Sequence, residues 1–490
     1  MSESRDLRQW LDRASEMGEL VTVTGADCES DIGAIVDIYQ HQMGNAALLF
    51  DDIPGYAPGF RVVANTMTSQ SRIALTLGLP PSASTADLIA YWRDYFSESP
   101  MLAPREVADG PILNNVLQGP EIDLRRFPVP LWHEHDGGRY IGTGSLVIQR
   151  DPDSEWVNGG TYRVQLQGDR DVSLYISKGK HGQLIMQKYW DRGLPCPVAI
   201  SCGHDPLLVI AGGAELPFGV SEYDAIGGMA GAPLELLKGP TTGLPIPANA
   251  EIVIEGEIHQ GDLVPEGPFG EFTGYYATGA AENPRVRVTS VLYRNDPIIL
   301  GNVPAVPPND DTYFGGYLRS ALLWNQLERA GIPGIRGVWA HEAGGGHYWF
   351  TISIDQLYPG HSKQVGTAAQ ACHVGAYCNK YIVVVDADID PTNTDQVIWA
   401  MCSRVDPPVD VEMLQRCWST GLDPTAHRAG QGFLNSRMVI DACRPWERIR
   451  DFPMVARASK GSQEEVRRKF PHLFDDAGHP VPAQPAGDAR

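Results

Sequence analysis

Tyr162-Arg-Val-Gln-Leu-Gln-Gly-Asp-Arg-Asp-Val-Ser-Leu-Tyr-Ile-Ser177 reads as two short strands folded back on one another. Residues alternate in character through 162–167 and again through 172–177, and Gln167-Gly-Asp-Arg-Asp171 between them is rich in turn formers, which together predict a β-hairpin. Further strand-like runs lie at 141–148, 251–259 and 285–293, separated by short turns. Strands at such close spacing predict a β-barrel or sandwich with one or two helices inserted rather than a parallel sheet.

Outside this strand-rich middle the character changes. Leu7, Trp10, Leu11, Ala14 and Leu20 fall near a 3.6-residue period and Leu20-Val-Thr-Val23 reads as a strand. A helix at 31–42, strands at 46–51 and 61–67, and a helix opened by Ser84-Thr85 with Asp87 in its first turn complete an N-terminal α/β unit, with Pro100 and Pro104 at its edge. Beyond 305, a strand at 338–340, a helix at 361–377, the apolar run Tyr381-Ile-Val-Val-Val385 and a helix at 395–404 predict a second α/β unit. Its apolar strand flanked by helices is the mark of a sheet covered on both faces. The tail from Asp475, rich in Pro, Ala, Gly and charge, is expected to fray, and no internal repeat is present.

The 490 residues exceed one ordinary core and suggest two to four domains. With 39 basic against 60 acidic residues the formal charge is −21, which argues against nucleic-acid surfaces and adhesion to anionic membranes. No apolar run approaches a membrane span, and MSESRDLRQW lacks the basic and apolar regions of a secretion signal, so a cytoplasmic location is expected. Eight cysteines without a C-x-x-C pair read as buried, reduced thiols. The 52 glycines and 38 prolines imply many tight turns.

There is no G-x-G-x-x-G between strand and helix and no P-loop, so neither a dinucleotide fold nor a Gly-rich phosphate cradle is indicated. A bound phosphate would need another neutralising partner. Asn158, His181 and Glu222 offer an N/O ligand set that suits Mn²⁺ or Mg²⁺, although on spacing alone such isolated residues are more often structural or solvated. His133-Glu-His135-Asp136, whose imidazoles would share one face of a strand but which reads equally as a solvated loop, and His341-Glu342 with His347, which lacks zincin spacing, are competing clusters. Arg163 could clamp a carboxylate or make a surface ion pair. Glu266-Gly-Pro-Phe-Gly-Glu271 places two carboxylates on one small-residue loop, where their pKa values tend to separate, one group staying protonated and the other ionised.

Asn158-x-x-x-x-Arg163, Lys180-His181, Ser221-Glu222-Tyr223 and Glu266-Gly-Pro-Phe-Gly-Glu271 resemble, in order and spacing, the signature of the UbiD family of reversible (de)carboxylases that use prenylated FMN. The likeness extends to Tyr358-Pro-Gly-His-Ser-Lys363, Asp386-Ala-Asp-Ile-Asp390 and Val397-Ile-Trp-Ala400. It implies a mixed α/β, multidomain (α+β) fold: an N-terminal α/β domain over 1–108, a central split β-barrel of the flavin-reductase type over 109–305 that holds the cofactor, and a C-terminal α/β domain over 306–490 that pairs subunits into a homodimer or higher homo-oligomer. It also implies Mn²⁺ (or Mg²⁺) on Asn158, His181 and Glu222 together with the cofactor phosphate, and K⁺ near the backbone of Ala211 to Glu215. Thr161, Tyr162, Arg163, Lys180 and Lys363 join the expected cofactor contacts, and Arg163, Glu266 and Glu271 form the catalytic network.

The resemblance gives each residue a role. Loss of CO2 from an sp² carbon needs an electron sink, which the modified flavin supplies. Arg163 orients the substrate carboxylate, Glu266 holds Arg163, and Glu271 delivers the replacement proton. A flavin prenyltransferase is the implied supplier of the cofactor. The substrate pocket is expected along 304–314, with Asn309, Tyr313 and Phe314 pointing to an aromatic or nitrogen-heteroaromatic carboxylic acid taken from aromatic acid catabolism. The alternatives are an acrylic or cinnamic acid decarboxylase, a non-catalytic flavin-binding subunit, and a metal-dependent hydrolase.

Overall fold

The computed structural model describes residues 5–42, 45–98, 100–214, 216–430 and 432–474. Residues 1–443 form one compact unit and residues 444–490 a second. The second contains the helix Lys460–Lys469, capped by Ser459. The tail expected to fray from Asp475 lies outside the described residues.

A nine-stranded antiparallel sheet forms the middle of the first unit. Its hydrogen-bonded order is Tyr140–Gly142, Arg163–Leu166, Asp171–Tyr175, Ala281–Tyr293, Ile252–Glu266, Cys196–Ser201, Leu146–Arg150 and Val157–Gly160, with Asn115–Gln118 added beside Ala281–Tyr293. The hairpin forms as its alternation predicts, pairing Tyr175 with Arg163 and Val172 with Leu166. The run at 141–148 is not one strand. It splits into Tyr140–Gly142 and Leu146–Arg150, which take places near opposite ends of the sheet. The chain turns sharply there: a Cβ on Gly142 would lie 2.6 Å from Ser145 Oγ and 2.8 Å from Val164. Ile252–Glu266 and Ala281–Tyr293 are long strands whose pairing slips between Ile258 and Leu263, a bulge that curls the sheet and carries the chain to Glu266.

The N-terminal segment folds as its periodicity predicts, with the helix Leu7–Glu16, the strand Leu20–Thr24, the helix Asp31–Gln40, the strands Ala47–Asp51 and Arg61–Ala64, and the helix Thr85–Glu98. Its four-stranded sheet is completed by Ile298–Leu300, which pairs in parallel with Arg61–Ala64. One apolar core runs from Leu7 and Trp92 through Leu146 and Ala199 to Phe314 and Trp339.

The later segment holds a second mixed sheet, ordered Ile335–Ala340, Trp349–Ile354, Tyr381–Asp386, Gly432–Ala442 and Val411–Ser419. Ile382 and Val384 pack with Val365 and Ala369 of the helix His361–Ala371 on one face, while Val383 and Val385 pack with Val397 and Ala400 on the other. The expected helix at 361–377 breaks at Cys372, whose backbone is extended, into His361–Ala371 and His373–Ala376. A helix that the sequence reading passed over, Asp310–Arg329, crosses between the segments with a capping box at Asn309. All eight cysteines are free, and Cys28, Cys196, Cys202, Cys378 and Cys443 are buried, whereas Cys402 is exposed and Cys372 and Cys417 are half-buried. Among the described residues no helix is long and apolar enough to cross a membrane.

Candidate active site

A cleft of about 600 Å³ opens beside the curled sheet, lined by Asn158, Thr161, Tyr162, Arg163, Lys180, His181, Glu222 and Glu271 among others. These residues come from separate elements. Asn158 lies on the edge strand Val157–Gly160, Arg163 starts the next strand, His181 opens the helix His181–Trp190, and Glu222 opens the helix Glu222–Ala230.

The loop from 266 to 271 is shaped by close backbone approach. A Cβ on Gly137 would lie 2.0 Å from the Gly267 carbonyl, and Gly137 N–H donates to the Pro268 carbonyl at 2.7 Å. Asp136 accepts from Gly270 N–H at 3.1 Å and from His133 N–H at 3.0 Å. The 133–136 cluster therefore buttresses this loop. Among the described residues no three His, Cys, Asp or Glu side chains converge on a metal-sized position, and the Asn158, His181 and Glu222 set contains only two such groups.

Arg163 is gripped from both ends of the loop. Its Nε and Nη2 donate to the two oxygens of Glu266 at 2.8 and 3.0 Å, and Nη1 donates to Glu271 Oε1 at 2.5 Å. Its guanidinium also lies over the Tyr175 ring, 4.1 Å from the centroid. Glu266 is 1 % exposed and accepts two further bonds, from Tyr140 Oη at 2.7 Å and Asn283 Nδ2 at 3.0 Å. Burial works against the charge on Arg163, but the hydrogen bond to Glu266 and the charges of Glu271 and Glu266 outweigh it and leave its pKa above the usual value. Burial raises the Glu271 carboxyl to about 7, against the downward pull of Arg163. One carboxylate is thus saturated with donors, while among the described residues the other accepts from Arg163 alone and faces the cleft.

The second cluster sits on the same cleft. Glu222 is buried and Oε2 accepts from Gly159 N–H at 2.8 Å. Burial raises its pKa to about 7 against that bond. Asn158 is 1 % exposed and its Nδ2 has no hydrogen-bond partner among the described residues. The His181 ring meets Trp156 and Phe218 edge to face, each with centroids 5.4 Å apart. A buried carboxylate facing an asparagine and an imidazole fits a hard to borderline divalent cation, and the N-terminal end of the His181 helix with Lys180 fits an anion beside it. Of the segment named for K⁺, Gly212 offers its carbonyl to Thr161 N–H at 3.3 Å, and Glu215 lies outside the described residues.

The substrate-side and phosphate-side expectations need correction. Asn309 does not reach the cleft: it is fully buried, its Oδ1 accepts from Thr312 N–H at 3.2 Å and its Nδ2 donates to the Ala305 carbonyl at 2.8 Å. Its amide is consumed in capping the helix. Tyr313 packs against the apolar core, and Phe314 lies within that core behind Gly213, so neither lines the cleft. Asp311, one turn from them, does line it, and burial raises its pKa against the charge of Arg319. Lys363 pairs with Glu412 at 2.8 Å and borders a separate hollow with Ile332 and Ala368. Tyr140, Asn283, Tyr175 and Asp311 escaped the sequence reading. Strand register alone brings the first three to Arg163 and Glu266. Asp311 had a local signal, the Asn309-Asp-Asp-Thr312 helix start.

Three successive family models match the chain: the 3-octaprenyl-4-hydroxybenzoate carboxy-lyase N-terminal domain over 11–92, its Rift-related domain over 105–307 and its C-terminal domain over 312–442. An antiparallel half-barrel sheet with a buried Glu-Arg-Glu cluster, set between two α/β segments, is the architecture of a cofactor-binding carboxy-lyase. The chain belongs to the UbiD family of decarboxylases. It is 34% identical to the pyrrole-2-carboxylic acid decarboxylase of Pseudomonas aeruginosa over 423 residues, covering 82% of this chain and 83% of that one. It is 32% identical to the phenolic acid decarboxylase of Streptomyces sp. over 447 residues, covering 90% and 92%. The structure of the UbiD-class enzyme HmfF from Pelotomaculum thermopropionicum in complex with FMN superposes with a TM-score of 0.83 at 29% identity, covering 94% of this chain and 98% of that one.

Proposed function

We propose that this chain catalyses the non-oxidative, reversible decarboxylation of an aromatic or nitrogen-heteroaromatic carboxylic acid with prenylated FMN, and that Glu271 delivers the proton. The observation that carries this reading is the Glu266–Arg163–Glu271 network on a cleft that also holds an anion-accepting helix terminus and a buried, uncompensated carboxylate. HmfF, described in complex with FMN and, in an evolved dimeric form, with prFMN, supports the cofactor and a paired assembly. We take 109–305 as the cofactor-holding segment and 306–490 as the pairing segment, with Mn²⁺ or Mg²⁺ on Asn158, His181 and Glu222 beside the phosphate and with Thr161, Tyr162 and Lys180 around it.

When bound, prenylated FMN supplies the electron sink for loss of CO2 from an sp² carbon. The remaining work falls to side chains. Glu266 fixes the guanidinium plane of Arg163 through two parallel bonds, so the second hydrogens of Nη1 and Nη2 are held ready for a substrate carboxylate. That carboxylate competes with Glu271 for Arg163, which weakens the one pull that lowers the Glu271 pKa. Glu271 therefore keeps its proton on a carboxyl oxygen until the carbon that lost CO2 can accept it, and the reverse transfer starts the reverse reaction.

Asp311 replaces Asn309 as the polar group that reads the ring. An acceptor there suits a substrate bearing an N–H or O–H donor, in keeping with the pyrrole and phenolic acids named for the relatives. The test is a panel of pyrrole, indole and phenolic acids offered to protein co-expressed with a flavin prenyltransferase, with CO2 release and deuterium incorporation from D2O as readouts. Turnover of none of them, or full activity with plain FMN, would overturn the proposal.

A further inference from the structure

A carboxamide has two nearly equal ends, and a metal ligand must present the right one. Asn158 lines the cleft, yet its buried Nδ2 has no hydrogen-bond acceptor. Directly across the pair of strands, in register with it, stands Gln149, which is 0 % exposed and whose Oε1 has no donor among the described residues. Facing residues of an antiparallel pair hold their Cβ atoms about 5 Å apart on one face of the sheet. The two orphaned groups are a donor and an acceptor in adjacent side chains.

The polarity of Gln149 is itself set from behind. The Cys196 thiol directs its single hydrogen at the Pro197 carbonyl, at 3.6 Å, so its sulfur is free to accept. Gln149 Nε2 donates to that sulfur at 3.4 Å, which leaves Oε1 as the end available to the cleft side. Oε1 lies against the start of the His181 helix, 2.6 Å from where a Cβ on Gly182 would be. A side chain at 182 would press on Gln149 Oε1.

We propose that Gln149 is a positioning residue that fixes the orientation of the Asn158 amide. By accepting from Nδ2 it turns Oδ1 toward the cation, so the relay Pro197–Cys196–Gln149–Asn158 determines which atom the metal meets. This rests on the reading of Asn158, His181 and Glu222 as the cation's ligands. Without the acceptor, the amide has no reason to prefer the productive orientation, and a buried donor stays unsatisfied whenever it adopts it.

The test is Mn²⁺ binding, followed by the electron paramagnetic resonance signal of the free ion as it is titrated into purified protein containing FMN. Gln149→Leu should weaken Mn²⁺ binding by about 10–100-fold, the usual effect of removing a group that orients a metal ligand. Gln149→Glu, which keeps an acceptor at the same reach, should bind within about tenfold of wild type, at the small end of that range. In an Asn158→Asp background the symmetric carboxylate has no wrong end, so adding Gln149→Leu should change Mn²⁺ affinity by no more than about twofold, the scatter of uncoupled substitutions. An equal loss in both backgrounds would mean general disruption and overturns the inference. Tight wild-type binding that Gln149→Leu leaves unchanged overturns it alone, whereas a wild type that takes up no Mn²⁺ removes the metal reading with it.

Discussion

Two glutamates on one short loop receive opposite treatment from their surroundings. Glu266 is met by Arg163, Tyr140 and Asn283, while among the described residues Glu271 has Arg163 alone and is lifted to about 7 by burial. On the role proposed for Glu271, Glu271→Gln preserves shape but cannot deliver a carboxyl proton, so turnover should fall by about 10²–10⁴-fold while flavin stays bound; stopped-flow rates together with cofactor absorbance check both halves. The sign of the pH dependence follows from the raised pKa. The acid form of Glu271 prevails below about 7, so the decarboxylation rate should decline as pH rises through that value, and Glu271→Gln should abolish the limb. On the proposed reading, in which the guanidinium holds the substrate carboxylate, Arg163→Ala should raise KM and lower kcat together.

At the scale of elements, Asp310–Arg329 shows how one helix start serves two ends. Asn309 closes the capping box inside the protein, and Asp311, two residues on, turns to the cleft. Asn309→Ala should cost about 1–2 kcal/mol of stability in urea melts, the upper range for a lost N-cap, and leave the ranking of substrates unchanged. Asp311→Ala should instead alter that ranking at nearly unchanged stability. The motif of 266–271 and the hairpin of 162–177 were legible because glycine, proline and alternation leave local marks. The cap at Asn309 was legible too, but Gly315 and Gly316 disguised the helix that follows, and so a capping side chain was mistaken for a ligand-reading one. Tyr140 and Asn283 left no mark at all, since their partner Glu266 lies 126 and 17 residues away in sequence and only the register of the curled sheet unites them.

The first unit is joined by more than apolar packing. Glu251 is fully buried and meets Arg8 at 2.9 Å and Arg294 at 3.3 Å, while Asp310 accepts from Met67 N–H at 2.7 Å. Replacing both Arg8 and Arg294 by Ala would strand the Glu251 charge, and about 3–5 kcal/mol of destabilisation is expected, with the N-terminal helices and the curled sheet unfolding in one denaturant transition. The sheet of the N-terminal segment has a further property, which belongs to the protein's birth rather than to its finished state. Its fourth strand, Ile298–Leu300, is separated from its neighbour Arg61–Ala64 by the whole of the curled sheet in the order of synthesis. At about 5–20 residues per second, a ribosome takes on the order of 10–50 s to supply it. Throughout that interval the emerging chain carries an open, apolar strand edge next to Val62 and Val63, and the hand that covers it arrives only after the curled sheet has been made.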